Sequence, residues 1–396
     1  MAEILKGVRI LDLSQYIAGP YGTLVLGDLG AEIIKIENPD GGDLSRNIRQ
    51  YTHKGESAYY LSLNRNKKSV TLNFRNPKAA EIFYDLVKVS DVVYDNFRSG
   101  MLEKFKIDYP TLKKINPRII SCSVTGFGSD SPYKDRPALD LLIQAYSGVM
   151  SFTGEPGRPP VRMGIPMGDL SGAMFAVMAV LGALYYRQVT GQGQRLDISM
   201  VDGLLSLMTY RAQYYFLEKE VPGPIGSGHV SQVPIRAYEA KDGKYLAIDS
   251  AQDKFFQNLC RVMGIEEVAK DARVNSMGAR LKNREVVDEI LEKKFREKDR
   301  DEWVELLIQG DVPVGPVNNL AQALNNPSIL ARKMVVPVKH LGEEVQMLGN
   351  PIKMSAIGEE VFEGAPTLGQ HTGQVLQQVL GYSQEQIEFL RKEKMV

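Results

Sequence analysis

The stretches VRILDLS (8–14), GPYGTLVLGDLG (19–30) and AEIIKIE (31–37) decide the fold of this chain. The first and third are compact apolar runs typical of strands. The second is typical of a helix, with Gly30 placed to end it. Since crossovers between strands of one sheet are right-handed, a strand–helix–strand unit makes its two strands parallel. The opening therefore predicts a parallel sheet.

The same alternation continues along the chain. Further strands are predicted at KSVTLNF (68–74), DVVYDNF (91–97), RIISCSVTGF (118–127) and QRLDISM (194–200). Helices are predicted at 77–90, 170–191 and 201–217, the second of them long and buried. Strands that alternate with helices favour an α/β domain built on a parallel sheet.

A Pro- and Gly-rich stretch, VPGPIGSGHVSQVP (221–234), interrupts this pattern and is the predicted linker. Before it, residues 1–220 form a large α/β domain. After it, residues 235–325 form a smaller α+β domain that opens with a β-hairpin turning at Asp242 and Gly243. Residues 326–396 are expected to return to the large domain and to complete it from about residue 332.

Charge balance excludes some classes of partner. The 396 residues include 48 Lys or Arg and 48 Asp or Glu, so the formal net charge is zero. Nucleic acid or an anionic membrane as the main partner needs a basic surplus, which is missing here. The longest apolar run, 174–186, is 13 residues. A membrane span needs roughly 20, so this run predicts a core helix.

Cysteine and histidine are too scarce for several kinds of site. Two cysteines, Cys122 and Cys260, exclude a disulfide scaffold, a four-Cys zinc site and an iron–sulfur cluster. The four histidines lack the spacing of a helical zinc motif, so no metal is predicted. The first thirty residues lack a signal-peptide pattern, and the expected location is the cytoplasm.

Several segments are candidates for binding or chemistry. The turn SQYIAGPYG (14–22) lacks the glycine fingerprint of dinucleotide sites, although Glu37 ends the next strand as such sites require. The alternative is that the N-terminus of the helix after this turn binds another phosphate or anion. Basic residues after predicted strand ends, namely Arg46, the segment 64–69, Arg75 and Lys104, suit a phosphorylated ligand or a solvated surface.

Two further candidates keep both a structural and a functional interpretation. Asp169, in PMGDLSG (166–172), precedes an apolar helix. It is either an N-cap or a nucleophilic carboxylate held ionised by the helix dipole, with small neighbours that leave room for a substrate. The segment GPIGSGH (223–229) is either a hinge or a lid whose N–H groups stabilise an anion.

Together these segments resemble the class III CoA-transferase family of the CaiB/BaiF type, which includes formyl-CoA and carnitine CoA-transferases. The resemblance spans the chain, through motifs whose order and spacing are more specific than any one alone: 5–46, NRNKKSVTLN (64–73), DNFRSGMLEKF (95–105), 116–128, MGDLSGAM (167–174), 190–207, VPVGPVNNL (312–320) and LGQHT (368–372). It implies a Rossmann-like large domain, a smaller middle domain and an interlaced homodimer.

The resemblance also implies the site. It assigns the catalytic carboxylate to Asp169, and a glycine loop over the active site to Gly226 and Gly228. It places coenzyme A, bound as the cosubstrate acyl-CoA without a metal or redox cofactor, near Ala18, Leu72, Arg75, Asn96, Phe97, Lys104 and Arg136. The second substrate is a carboxylic acid.

Alternatives remain for the branch of the family to which the chain is similar and for the type of reaction. SGHVSQVPIRAYEAKDG (227–243) resembles enzymes that act on dicarboxylates with succinyl-CoA, and Arg46, Arg136 and Arg162 are candidates for a second carboxylate. Ile17 and Leu139 replace a Gln and a Tyr of the formyl-CoA branch, which argues against formyl or oxalate specificity. Acyl-CoA racemases of the same fold have a His where Leu139 stands, so a racemase is the weaker alternative. A non-catalytic partner subunit of a CoA-transferase is another.

Overall fold

The computed structural model of the chain describes residues 4–356 and 361–396. Its strands are β1 (Arg9–Asp12), β2 (Glu32–Glu37), β3 (Thr52–His53), β4 (Glu56–Ser57), β5 (Lys67–Thr71), β6 (Val92–Asp95), β7 (Ile120–Thr125), β8 (Arg195–Ser199), β9 (Ile235–Glu239), β10 (Tyr245–Asp249), β11 (Val314–Pro316), β12 (Val335–His340) and β13 (Glu343–Leu348).

Its α-helices are α1 (Pro20–Asp28), α2 (Ala58–Asn64), α3 (Ala79–Lys88), α4 (Met101–Lys104), α5 (Tyr109–Ile115), α6 (Asp140–Ser147), α7 (Met167–Thr190), α8 (Met200–Ser206), α9 (Tyr210–Glu218), α10 (Asp253–Val262), α11 (Met277–Lys282), α12 (Arg284–Phe295), α13 (Arg300–Gln309), α14 (Leu320–Leu324), α15 (Pro327–Ala331), α16 (Thr372–Gln378) and α17 (Gln384–Lys392).

The chain divides into two compact units by its internal contacts. The larger unit holds the described residues of Met1–Val149, Met163–Lys219 and Leu330–Val396; the smaller unit holds Met150–Arg162 and Glu220–Ile329. These units differ from the division predicted from the sequence in that residues 150–162 group with the smaller unit. One reason is that the backbone carbonyl of Gly154 accepts a hydrogen bond from the backbone N–H of Gly226.

Six strands of the larger unit form one sheet in the order β5-β2-β1-β6-β7-β8. Every neighbouring pair in it is parallel, as in the register of Leu11 with Ile34 and of Ile10 with Val92. The predicted α/β class and parallel sheet are confirmed. Because the order reverses between β1 and β6, the doubly wound fold has its topological switch point there.

One face of this sheet is covered by helices from both ends of the chain. Leu11 and Ile34 pack in one buried cluster with Phe83 of α3, Leu376 of α16 and Ile387 of α17. At about 25 cal/mol per Å² of apolar surface removed from water, such burial is the main stabilising term of the unit. The C-terminal helices are therefore part of the core on which the sheet rests.

Helix α7 is less buried than the long buried helix predicted for 170–191. Val180 is buried against the rest of the unit, and Arg187 donates to Asp91 at 2.8 Å, but Tyr185 and Val189 are each 71% exposed. Among the described residues, α7 is the one helix long and apolar enough to cross a membrane, judged by length and composition. Core helices pass the same criterion, and α7 packs on α1, β7 and α8.

The smaller unit is built on the antiparallel sheet β11-β10-β9. The hairpin of β9 and β10 turns at Asp242 and Gly243 as predicted, with Gly243 at a positive φ of 72°. Helices α10, α12 and α13 supply the buried aromatic side chains Phe256, Phe295 and Trp303 to its core.

Candidate active site

A cavity of the larger unit lies at the carboxyl ends of the strands, next to the switch point. We call it the strand-end crevice; its volume is about 760 Å³. Its walls come from the segments that follow β1, β2, β5 and β6, and include Ser14, Gln15, Glu37, Asn38, Leu72, Asn73, Phe74, Arg75, Phe97, Lys104 and Lys106. Ligands of open α/β sheets bind at this position, and a nucleotide-sized molecule fits such a volume.

Four residues predicted to bind coenzyme A line this crevice, namely Leu72, Arg75, Phe97 and Lys104. Arg75 is exposed and lies 3.8 Å from the exposed Asp40, a pair that contributes little to stability. Its guanidinium group is therefore available to a phosphate. Lys106, which no motif singled out, adds a further cation to the lining.

Asn96 and Ala18, also predicted to bind coenzyme A, are not among the residues that line the crevice. The Asn96 side chain accepts from the backbone N–H of Gln15 at 2.9 Å and donates to the Gln15 carbonyl at 2.8 Å. These two hydrogen bonds join the segment after β6 to the segment after β1 across the switch point. Ala18 is buried in the turn before α1. Asn96 thus ties these two segments together, and its role in binding coenzyme A stays a prediction.

Arg136 is not among the crevice-lining residues. Its guanidinium carbon lies 3.7 Å from the centre of the Tyr133 ring, and it donates a hydrogen bond to the Tyr146 hydroxyl. Both tyrosines pack edge-on against Phe127. The structure thus places Arg136 on an exposed aromatic cluster.

Arg46 is not available to a substrate carboxylate, which corrects one of the three candidates for that role. Its guanidinium donates to both carboxylate oxygens of Glu37 at 2.8 Å and stacks 3.6 Å from the centre of the Tyr60 ring. A further donation goes to the Pro366 carbonyl. The side chain is 7% exposed, so this fork-shaped pair is structural.

A buried ionic network supports the turn after β1. Asp12 accepts from the Ser14 backbone at 2.9 Å and from Lys67 at 3.1 Å, and Lys35 lies 2.9 Å from Asp43. Burial opposes the charge of Asp12, but Lys35 and Lys67 hold the pKa of this carboxyl below its usual range. Burial lowers the pKa of Lys67 to about 8. Paired buried charges of this kind fix geometry, because separating them leaves a charge without compensation.

Asp169 lies in the first turn of α7 and is half-buried. The N-cap of this helix is Pro166, which has no side-chain hydrogen bond to offer, so the N-cap interpretation of Asp169 is wrong. The N–H of Gly168 is bonded instead by the carboxylate of Asp140, at 2.9 Å. Asp169 thus lies at the positive end of the dipole of α7.

Tyr59 is a residue of this region that the sequence did not reveal. Burial raises its pKa to about 12, and the negative charge of Asp169 is the largest further cause, followed by Asp43. The phenol is therefore protonated at neutral pH and can donate a hydrogen bond to a nearby anion. Tyr59 and Tyr60 match no motif, and the sequence does not distinguish their roles. In the fold, Tyr60 lies beside Arg46, whereas the charge of Asp169 acts on Tyr59.

The glycine segment lies in the smaller unit. Gly226 has a φ of +62°, and a Cβ built there would be 2.6 Å from each carboxylate oxygen of Glu155, so no other residue fits without displacement. Its N–H donates to the Gly154 carbonyl at 2.8 Å, and the N–H of Gly228 donates to Ile225 at 3.1 Å. Both amides predicted to stabilise an anion are thus engaged in this conformation.

Comparison with known proteins gives a consistent result. Residues 5–372 match the model of CoA-transferase family III. The chain is 34% identical to succinyl-CoA:glutarate CoA-transferase of Mus musculus over 98% of its length and 88% of that protein. It is 36% identical to acetyl-CoA:oxalate CoA-transferase of Acetobacter aceti, over 92% of each chain. A crystal structure of a CAIB/BAIF family protein from Brucella suis superposes with a TM-score of 0.85 at 33% identity, covering 95% of this chain and 99% of that one.

Proposed function

The chain belongs to CoA-transferase family III and is a CoA-transferase, and from this premise we propose that it transfers coenzyme A to a dicarboxylic acid through a covalent intermediate on Asp169. The observation that carries the proposal is a half-buried carboxylate in the first turn of α7, in the same unit as the strand-end crevice. Succinyl-CoA is the proposed donor, because it is the donor named for the glutarate-specific relative.

The reaction balances without a metal or redox cofactor. A carboxylate oxygen of Asp169 attacks the thioester carbonyl, the carbon–sulfur bond breaks, and the thiolate leaves with its electron pair. The thiolate then attacks the Asp169 carbonyl carbon, which yields an aspartyl-CoA thioester and releases the donor acid. The acceptor carboxylate attacks this thioester, and the same two steps in reverse deliver its CoA thioester.

The first step is uphill. A carboxylate of pKa about 4 must expel a thiolate of pKa about 8.5, and that difference corresponds to roughly 6 kcal/mol at 1.36 kcal/mol per unit. Binding energy of remote, non-reacting parts of the substrate can offset it. Arg75 and Lys104 supply charge for the phosphates of coenzyme A, and Leu72 and Phe97 supply apolar walls for its base. In this proposal the crevice that binds the nucleotide part of coenzyme A supplies the energy that the single nucleophile lacks.

The segment with Gly226 and Gly228 acts in this proposal as a lid that excludes water from the anhydride. Hydrolysis of the anhydride would waste the donor, so water must be kept away during both steps. To donate to a developing anion, Gly226 must first release the Gly154 carbonyl. The lid thus changes its hydrogen bonds between a resting and a reacting state.

A homodimer, interlaced as in the family, completes the proposal. Val189 on α7 and Phe216 and Leu217 on α9 are exposed by 71%, 60% and 67%. Exposed apolar side chains of this size are typical of surfaces covered by a partner, and the proposed partner is a second copy of this chain. Light scattering should give twice the mass of 44.1 kDa, independent of dilution down to micromolar concentration.

The experiment uses the chain purified alone, with succinyl-CoA and glutarate. Asp169→Asn should lower kcat at least 10³-fold while Tm stays within a few degrees, because the amide matches the carboxylate in size. Hydroxylamine added during turnover should convert Asp169 to a hydroxamate that peptide mass spectrometry locates. Activity of Asp169→Asn within tenfold of wild type, or an unmodified Asp169 during turnover, would refute the covalent mechanism.

A further inference from the structure

We propose that Asp140 and Gln144, both on α6, are positioning residues that hold the first turn of α7 and thereby set the rate of the covalent steps. We call this pair the α6 clamp. The inference rests on the proposed role of Asp169, and it adds the residues that keep this side chain in place. Neither residue belonged to any motif as a participant in the reaction.

The contacts form one continuous chain. The backbone N–H of Gly168 donates to Oδ1 of Asp140 at 2.9 Å, and Nε2 of Gln144 donates to Oδ2 of the same carboxylate at 2.8 Å. Oε1 of Gln144 accepts from the backbone N–H of Met163 at 2.8 Å. The clamp therefore holds both ends of the segment 163–168, which leads directly into Asp169.

Helix α7 needs this support because it has no cap of its own. The first N–H groups of any α-helix lack intrahelical partners, and a polar side chain at the N-cap usually binds one of them. Here the N-cap is Pro166, and Asp140 supplies the missing acceptor from a different helix. A Cβ on Gly168 would lie 3.0 Å from Ile143 and 3.1 Å from Asp140, so glycine lets α6 approach this closely.

The clamp has a fixed donor–acceptor polarity. Asp140 accepts on both oxygens, whereas Gln144 must donate with its nitrogen and accept with its oxygen. In Asp140→Asn, the new amide nitrogen faces Nε2 of Gln144, and two donors meet. Rotating the Gln144 amide would remove that conflict but would place its nitrogen against the N–H of Met163. Since Gln144 is fully buried, water cannot repair either arrangement.

A second substitution should restore the polarity. With Asp140→Asn and Gln144→Glu together, the new amide donates to the new carboxylate, which still accepts from Met163, while the amide oxygen accepts from Gly168. The net charge of the pair is unchanged. A displacement of about 1 Å at a reacting group lowers rates up to roughly 100-fold. We therefore expect Asp140→Asn to lower kcat 10- to 100-fold and the double variant to return it to within about threefold of wild type.

The measurements are kcat, KM for succinyl-CoA, and the single-turnover rate at which the covalent adduct forms. The clamp requires the losses to appear in kcat and adduct formation, with KM within twofold. Asp108, which caps α5 by accepting from Thr111, gives the matched control: Asp108→Ala removes a cap and should lower Tm without changing kcat. Asp140→Ala should lower both Tm and kcat.

The outcomes separate the two proposals. If Asp169→Asn retains activity, the proposed function fails whatever the clamp does. If Asp169→Asn is inactive but Asp140→Asn has wild-type kcat, the clamp inference alone is wrong. A double variant no better than Asp140→Asn would likewise overturn it, because a merely destabilising change has no reason to be reversed by Gln144→Glu.

Discussion

Asp95→Asn should stabilise the protein in a way that depends on pH. Asp95 ends β6 and is fully buried; its oxygens accept from the Ser123 hydroxyl at 2.7 Å and from the Phe97 backbone at 3.1 Å. Burial raises the pKa of this carboxyl from 3.8 to about 6, against the opposing effect of these two bonds. An amide of the same shape keeps an acceptor for Phe97, and the Ser123 hydroxyl can rotate to accept from its nitrogen.

The sign and size follow from linkage. Because the folded pKa is above the unfolded one, the stabilisation from the protonated form is complete below pH 3.8 and is lost as the pH rises through 6. Each pKa unit is worth 1.36 kcal/mol, so the wild type carries a penalty of about 1 kcal/mol at pH 4.5 and about 3 kcal/mol at pH 7.5. Asp95→Asn has no such penalty, and its advantage should grow by about 2 kcal/mol over this range.

Urea unfolding at pH 4.5, 6.0 and 7.5, with Tm from calorimetry, measures this difference. At roughly 2 °C per kcal/mol, the gap in Tm should widen by about 4 °C between the two end points. The exposed Asp130→Asn is the matched control and should show a constant difference from wild type. An Asp95→Asn curve parallel to the wild-type curve, within 0.5 kcal/mol, would refute the reasoning.

Four further substitutions test the crevice and its surroundings. Arg46→Ala leaves Glu37 buried without its partner and should cost about 3–5 kcal/mol in urea unfolding; a loss below 1 kcal/mol would contradict the structural role. Arg75→Ala and Lys104→Ala should each lower kcat as well as kcat/KM for succinyl-CoA, because their contacts with the remote phosphates offset the uphill expulsion of the thiolate; a change confined to KM would contradict that use of binding energy. Tyr59→Phe removes a phenol whose pKa is raised by the charge of Asp169, so kcat should fall at least tenfold with KM nearly constant, and unchanged kcat would remove Tyr59 from the site.

The sheet could be predicted from the sequence because its strands and helices alternate within short distances along the chain. VRILDLS and AEIIKIE became β1 and β2, and Gly30, two residues after α1 ends, has the positive φ of 101° that a helix terminus favours. These features depend on local conformation and on the handedness of crossovers. Residues 150–162 could not be assigned to their unit in this way, because the contact of Gly154 with Gly226 joins segments 72 residues apart.

The position of the crevice could be predicted from the sequence, but its electrostatics could not. The rule that ligands bind at the carboxyl ends of parallel strands brought Arg75 and Lys104 to one edge, where they line the crevice. The same rule offered Arg46 with equal weight, and it is the one that is buried. A sequence shows which residues carry charge, but whether a charge meets solvent or a carboxylate depends on distant segments, here Tyr60 and Pro366.

This division between exposed and buried cations has a physical consequence for catalysis. The exposed Arg75 can exchange water for phosphate, and the energy gained is available to offset the uphill expulsion of the thiolate. That binding energy can offset the uphill step only if the turn after β1 and the first turn of α7 do not move when the ligand binds. If they moved, the binding energy would be spent on deforming the protein. The Asp12–Lys35–Lys67 network holds the first, through Ser14, and the α6 clamp holds the second, through Gly168. Buried polar groups that look costly for stability are thus placed where rigidity converts binding into rate.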